Sequence, residues 1–208
     1  MKNFIIVILF IVALFSCAKK INPFEGYQQI KYQSGAVRIE ELSNITQKAI
    51  PIGRFQQNSL TLEDSILIYN GDIYSNYKVF SFKALPSMTY TIKVNSQCDC
   101  GGFKKYILNP EIRIINERGD LIESKIDTSY FGINNSPMFL NKSWKVKPDE
   151  ETNCFVILYS ANDVLGEDVV KTVANTVVLA GGTFIPLVIP ISIKSTLMGD
   201  FIILVQSR

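Results

Sequence analysis

The run MTYTIKVNS at positions 88–96 alternates without a break, with Met88, Tyr90, Ile92 and Val94 on one side and Thr89, Thr91, Lys93 and Asn95 on the other. A period of two suits an extended strand with one buried and one wet face, the habit of antiparallel sheets. The preceding run YKVFSFKAL, 77–85, sets Phe80, Phe82 and Ala84 on one side, and Pro86-Ser87 turns the chain between the two. Leu60, Leu62, Ile66 and Ile68 form strand pieces before the turn Asn70-Gly71-Asp72. EIRIINERGDLIES, 111–124, reads as a hairpin with Ile112 and Ile114 inward and Gly119 permitting the turn. Trp144 and Val146 begin another strand, CFVILY at 154–159 is apolar on both sides and therefore central, and FIILVQ at 201–206 closes the chain. Seven or eight short strands at regular spacing predict a mainly β protein, an antiparallel β-sandwich of jelly-roll character.

One stretch breaks this rhythm. Asp168 can cap a helix whose face is Val169, Val173 and Val177 and whose end is Gly181, giving one short helix near the C-terminal part. From Thr172 to Ile193 there is no charged residue. That length could span a bilayer, but Gly181, Gly182, Pro186 and Pro190 interrupt it, and a spanning segment must satisfy its own backbone. The stretch is read as a helix packed on the sheets, followed by a Pro-rich buried connection.

The start of the chain has its own character. Lys2 is followed by an unbroken apolar run from Phe4 to Phe15. As a helix this spans roughly 18 Å, short of a ~30 Å hydrocarbon core, so it reads as an export signal rather than an anchor helix. Its end, Leu14-Phe15-Ser16-Cys17, resembles the lipobox of bacterial lipoproteins: an aliphatic residue three before the cysteine and a small one directly before it. The resemblance implies removal of residues 1–16 and lipidation of Cys17, with two or three acyl chains giving a stable hold where one would be marginal. Ala18 follows the cysteine, which by analogy with lipoprotein sorting implies the outer membrane of the cell envelope. Residues 17–34 are polar and read as a tether with some order near Tyr27 and Tyr32, leaving 35–208 as a single sandwich domain.

Composition narrows function. The chain has no histidine, so Ser-His-Asp and Cys-His sites and His-ligated zinc are excluded, and the commonest base near neutral pH is missing. Without Lys2, 20 basic side chains face 19 acidic ones, interspersed and without a basic run, which argues against nucleic-acid binding. No Gly-rich phosphate loop is present, and no cofactor or metal is predicted. Three cysteines follow Cys17. Export favours their oxidation, and in an extended segment Cys98 and Cys100 share a face, so either could meet Cys154. One Cys154 disulfide with a spare thiol is the favoured pairing; a ring closed between Cys98 and Cys100 is the more awkward alternative.

The block YKVFSFKA, TYTIKV and NPEIRIINERGDLIES resembles the β-sandwich modules beside secreted bacterial proteases, the pre-peptidase C-terminal type. Its hairpin, the run Ser129-Tyr130-Phe131, the strand FVILYS and the connection IPLVIPISIKSTLMGDFIILVQ are similar in order to the maltose operon periplasmic protein family. That resemblance covers roughly 77–208 and implies a non-enzymatic envelope protein associated with carbohydrate uptake. Its partners would be the membrane, through the lipid anchor, and an envelope protein or glycan.

Candidate ligand-binding residues are Tyr130, Phe131, Asn134, Asn135 and Trp144, because aromatic faces beside amides are what sugar recognition needs; a Trp filling the core is the competing reading. Asp149-Glu150-Glu151 could hold Ca²⁺ with Asp163 or Glu167, or be a solvated turn. Glu111, Glu117 and Glu123 could serve a histidine-free carboxylate hydrolase only if two of them faced one cleft.

Overall fold

The computed structural model describes residues 22–42, 47–100, 105–133, 138–180 and 183–208. Among the described residues one α-helix, α1 (Pro23–Tyr32), precedes fourteen strands: β1 (Val37–Arg38), β2 (Lys48–Ala49), β3 (Gln56–Leu60), β4 (Ile66–Tyr69), β5 (Ile73–Ala84), β6 (Tyr90–Asp99), β7 (Tyr106–Leu108), β8 (Pro110–Ile115), β9 (Ser124–Ile133), β10 (Met138–Val146), β11 (Thr152–Ser160), β12 (Asp168–Ala180), β13 (Thr183–Thr196) and β14 (Gly199–Ser207). They form two sheets. The first runs β1-β4-β5-β11-β8, with β2 also beside β5; the second runs β12-β13-β7-β6-β10-β9, with β14 between β6 and β3.

The alternating runs meet where their pattern dictates. Phe80, Phe82, Ala84, Val156, Leu158, Ile112 and Ile114 of the first sheet pack against Tyr90, Ile92, Val94, Trp144, Val146, Phe201, Ile203 and Val205 of the second. Phe80 meets Phe201 edge to face at 6.1 Å, and Phe82 meets Tyr90 at 5.2 Å, so aromatic pairs stitch the layers together. The first sheet is buried on its other face too. There Leu67, Tyr69, Val79, Ile115 and Ile157 pack under Ile39 and Leu42 from the segment after β1. This explains why CFVILY is apolar throughout: β11 lies between β5 and β8 and feeds both cores. Asn70 and Gly71 take φ values of 45° and 92° in the β4–β5 turn, which is why an Asn-Gly pair stands there.

Four expectations need correction. The helix expected near the C-terminal part, from Asp168, is instead strand β12, paired antiparallel with β13 from Asp168↔Lys194 to Ala180↔Thr183. Seven of its thirteen residues are Val or Thr, whose branched Cβ favours the extended chain, and Gly181-Gly182 stands between the two strands as a hairpin signal rather than a helix end. The tether reading of 17–34 fails over its second half. Asn22 caps α1, its Oδ1 accepting from the Phe24 N–H at 3.1 Å, Pro23 opens the helix, and Ile30 is fully buried. The 111–124 hairpin keeps its turn but not its returning strand: after the bridge Ile115↔Leu121 the chain crosses to the other sheet as β9. Trp144 and Val146 end β10 rather than begin it.

The sandwich therefore has two distinct ends. One carries the β8–β9 and β10–β11 loops, the β5–β6 turn and the chain terminus, where Arg208 and Thr89 exchange backbone hydrogen bonds. The other carries α1, the β6–β7 corner and the base of the β12–β13 ribbon.

Candidate functional site

At the first end, loops β8–β9 and β10–β11 enclose an open cleft of about 940 Å³. Asn116 organises the first loop. Its Oδ1 accepts from the N–H groups of Arg118 (2.9 Å) and Asp120 (2.8 Å), and its Nδ2 donates to the Asp120 carboxylate at 3.0 Å. Gly119, at φ 86°, supplies the left-handed residue this tight return requires. The turn holds Arg118 and Asp120 side by side, Nε to Oδ2 at 3.2 Å, and the Arg118 guanidinium also donates to Glu150 across the cleft. Arg118 thus clasps one carboxylate from each loop.

The lining is balanced. Arg118, Lys125, Lys145 and Lys147 face Asp120, Glu123, Asp149 and Glu150, with exposed Leu121 as an apolar rim. Such a surface can hold a polar ligand by hydrogen bonds and paired charges, without selecting strongly for one sign. Asp120 itself is poorly set to act as an acid. The Asn116 amide and then the Arg118 guanidinium hold the Asp120 carboxyl below its usual range, whereas a general acid needs the opposite shift. Of the carboxylates considered for hydrolysis, Glu111 pairs with Lys142 at 2.6 Å and Glu117 is bound by Asn153, while only Glu123 reaches the cleft.

The acidic run 149–151 does not join Asp163 or Glu167. Glu150 pairs with Arg118 and Glu151 with Lys83, and the nine residues of β11, ~30 Å of extended chain, separate them from Asp163. Among the described residues no group of acidic, cysteine or histidine side chains could hold a metal ion.

The favoured cysteine pairing is also corrected. Cys98 and Cys100 bond to each other, with Cα atoms 5.2 Å apart, and Cys154 is a free, fully buried thiol. The reason is topological. Cys154 sits in β11 of the first sheet, opposite Phe82, facing the main core, while Cys98 lies at the far end of β6 in the second sheet, opposite Ile107 of β7, and Cys100 directly follows that strand. The disulfide packs with Ile107, Leu140 and Ile193, and the Cys100 sulfur lies 3.7 Å from that of Met138.

Of the aromatic–amide candidates, Trp144 alone has a described side chain. Trp144 is 2% exposed and belongs to the main core. Tyr130 and Phe131 run in β9 opposite Asn141 and Leu140, but their rings, like all of Asn134 and Asn135, lie outside the described residues. Cys17 lies outside them as well.

Arg118, Asp120 and Lys147 were not singled out by sequence. The Asn-x-x-Gly-Asp turn was visible, as was the acidic run after Pro148, but nothing local told that the two would face each other. Their meeting follows from β11 pairing with β8.

No family model, no curated protein and no solved structure matches the chain.

Proposed function

We propose that this chain is a lipid-anchored protein of the bacterial cell envelope, held at the outer membrane, which binds or scaffolds rather than catalyses. The observation that carries this reading is the apolar leader ending in Leu14-Phe15-Ser16-Cys17. A packed helix begins only six residues after that cysteine, so acyl chains on Cys17 would hold the sandwich close to the bilayer. The binding half of the reading rests on the mixed-charge cleft, framed by the hydrogen bonds of Asn116 and the ion pairs of Arg118. Its non-enzymatic half rests on the absence of histidine from the whole sequence and on the lowered Asp120 carboxyl. A glycan-binding form of this role, the one the maltose operon resemblance suggests, would have to do without Trp144 as a stacking platform.

The test is mass spectrometry of the mature N-terminus after metabolic palmitate labelling, with Cys17→Ser as control. The expected result is a chain that starts at acylated Cys17 and loses its label in the variant. A product that keeps Met1 and carries no fatty acid overturns the proposal.

A further inference from the structure

The β12–β13 ribbon joins the fold at its base, where Val169 and Ile193 pack into the disulfide cluster. Beyond the short parallel pairing of Lys194–Thr196 with β7, its two strands are registered only against each other among the described residues. From Val170 to Ala180 it extends ~35 Å. Between Lys171 and Lys194 it carries no charged residue on either strand. An isolated two-stranded hairpin is marginal in water unless something covers it.

Its position says what can. The ribbon springs from the same end of the sandwich as α1. A Cβ on Gly166, two residues before β12, would come within 2.6 Å of the Phe24 ring, and Gly166 N–H donates to Ser195 of β13 at 3.0 Å. Tyr27 of the same helix accepts from the Tyr74 N–H at 3.3 Å, which fixes the helix against β5. Cys17 lies five residues before the cap Asn22, a reach of at most ~18 Å. A bilayer that holds acyl chains on Cys17 is therefore within reach of the ribbon.

The backbone decides how the two could meet. Lys194 N–H donates outward, to Lys105 of the chain entering β7, and Ser195 N–H donates inward, to Glu167. Donors alternate along a strand, so even-numbered residues of β13 turn their nitrogens to the outer edge. Pro186 and Pro190 are both even, and at those places the edge has no donor to offer. Prolines on an open edge block the addition of another strand. This opposes closure of a barrel from several copies along β13, and an open ribbon cannot cross hydrocarbon alone. A ribbon lying in the interface keeps its edge groups near headgroups and water while its apolar surface meets acyl chains.

From this placement we infer that the β12–β13 ribbon is a membrane-docking arm that lies in the bilayer interface and orients the anchored sandwich. The inference rests in part on the lipid-anchor reading, so its test must work without the anchor. All described elements lie within residues 22–208 and both cores close there, so the chain from Ala18 retains the fold. In that chain Phe184→Trp places a reporter in β13, while buried Trp144 gives a constant background. The probe is phosphatidylcholine vesicles with brominated acyl chains.

The expected result is a blue shift and quenching of the introduced indole when vesicles are added. Adding Val178→Asp and Leu187→Asp should lower the partition at least about tenfold with Trp144 emission unchanged. No quenching in either the Ala18 chain or the acylated chain overturns the inference while leaving the anchor reading intact. A concentration-dependent blue shift without vesicles overturns it in favour of a second copy covering the ribbon. Quenching in the Ala18 chain alongside an unacylated natural product sustains the arm and removes the anchor.

Discussion

Cys154 offers the sharpest check on how the layers are assembled. Its thiol is fully buried in the main core, and loss of solvation raises its pKa from 9.0 to about 11. Only the thiolate is alkylated, so at pH 8 ionisation alone slows the reaction about a hundredfold relative to an open cysteine. Burial adds to this, because the reagent must wait for the core to open. The assay is iodoacetamide labelling of the Ala18 chain with and without guanidinium, followed by tryptic mass mapping. Native protein should take up no label in the time an unstructured thiol reacts fully. Denatured protein should take up one label, on Cys154. The peptide Val94–Lys104, which contains both Cys98 and Cys100, should stay unlabelled and lighter by two hydrogens until a reductant is added. A cross-link between that peptide and the one containing Cys154, or native labelling at the rate of an open thiol, would refute the arrangement. The same thiol has a stability signature. Its folded pKa lies above its unfolded one, so between pH 9 and 11 the unfolded state sheds a proton that the folded state keeps. Stability falls with rising pH across that window, by about 2–3 kcal/mol from this group.

Other outcomes follow from the same physics. Tyr159, with burial the main cause, is pushed from 10.0 up to about 12, so a Cys154→Ala protein should still lose stability above pH 10 but not between 9 and 10; pH-dependent guanidinium melts check this. Tyr69→Phe should cost about 1–3 kcal/mol, because the hydroxyl donates to Ser160 C=O at 3.1 Å and accepts from Asn162 N–H at 2.6 Å, and both partners are buried. Trp144→Ala should cost ~3–5 kcal/mol by chemical denaturation, the loss of a core aromatic rather than of a surface platform. Glu111→Gln should destabilise by roughly 1–3 kcal/mol, since Lys142 is nearly enclosed and would lose its counter-ion, whereas Lys142→Met should be close to neutral.

The parts of the fold that sequence made legible are those where one strand carries its own pattern. Residues 88–96 and 77–85 alternate because each sets one face on the main core, where Tyr90, Ile92, Val94, Phe80, Phe82 and Ala84 are buried, although Val79 on the opposite face of β5 is buried too, in the second core. CFVILY lacks alternation because both faces of β11 are covered. The β12–β13 segment was misread because its apolar residues satisfy a helical spacing as well as an extended one. Val169, Val173 and Val177 fall at helical intervals simply because almost every position there is apolar or Thr. When a run is apolar throughout, period carries no information, and the deciding signals were the branched Cβ atoms and Gly181-Gly182. The segment 22–33 was misread for the opposite reason. PFEGYQQIKY is mostly polar, yet Ile30 and Gly26 are enough to dock one turn after another against β5.

Sites are harder than strands because they are built from residues far apart in sequence. Cys98 and Cys154 each lie on a strand that sequence could place, but whether they meet depends on which sheet each strand joins, and that choice is made by pairing partners rather than by either strand's composition. The β5–β11 and β6–β7 pairings send the two to different layers, and proximity in sequence then leaves Cys98 only Cys100. The cleft follows the same logic in reverse. Arg118 and Glu150 are separated by two complete strands, yet β8 and β11 are neighbours, so the loop after one and the loop before the other are forced together at a shared end. A pattern confined to one strand can reveal its buried face; only the pairing of strands decides which loops become a site.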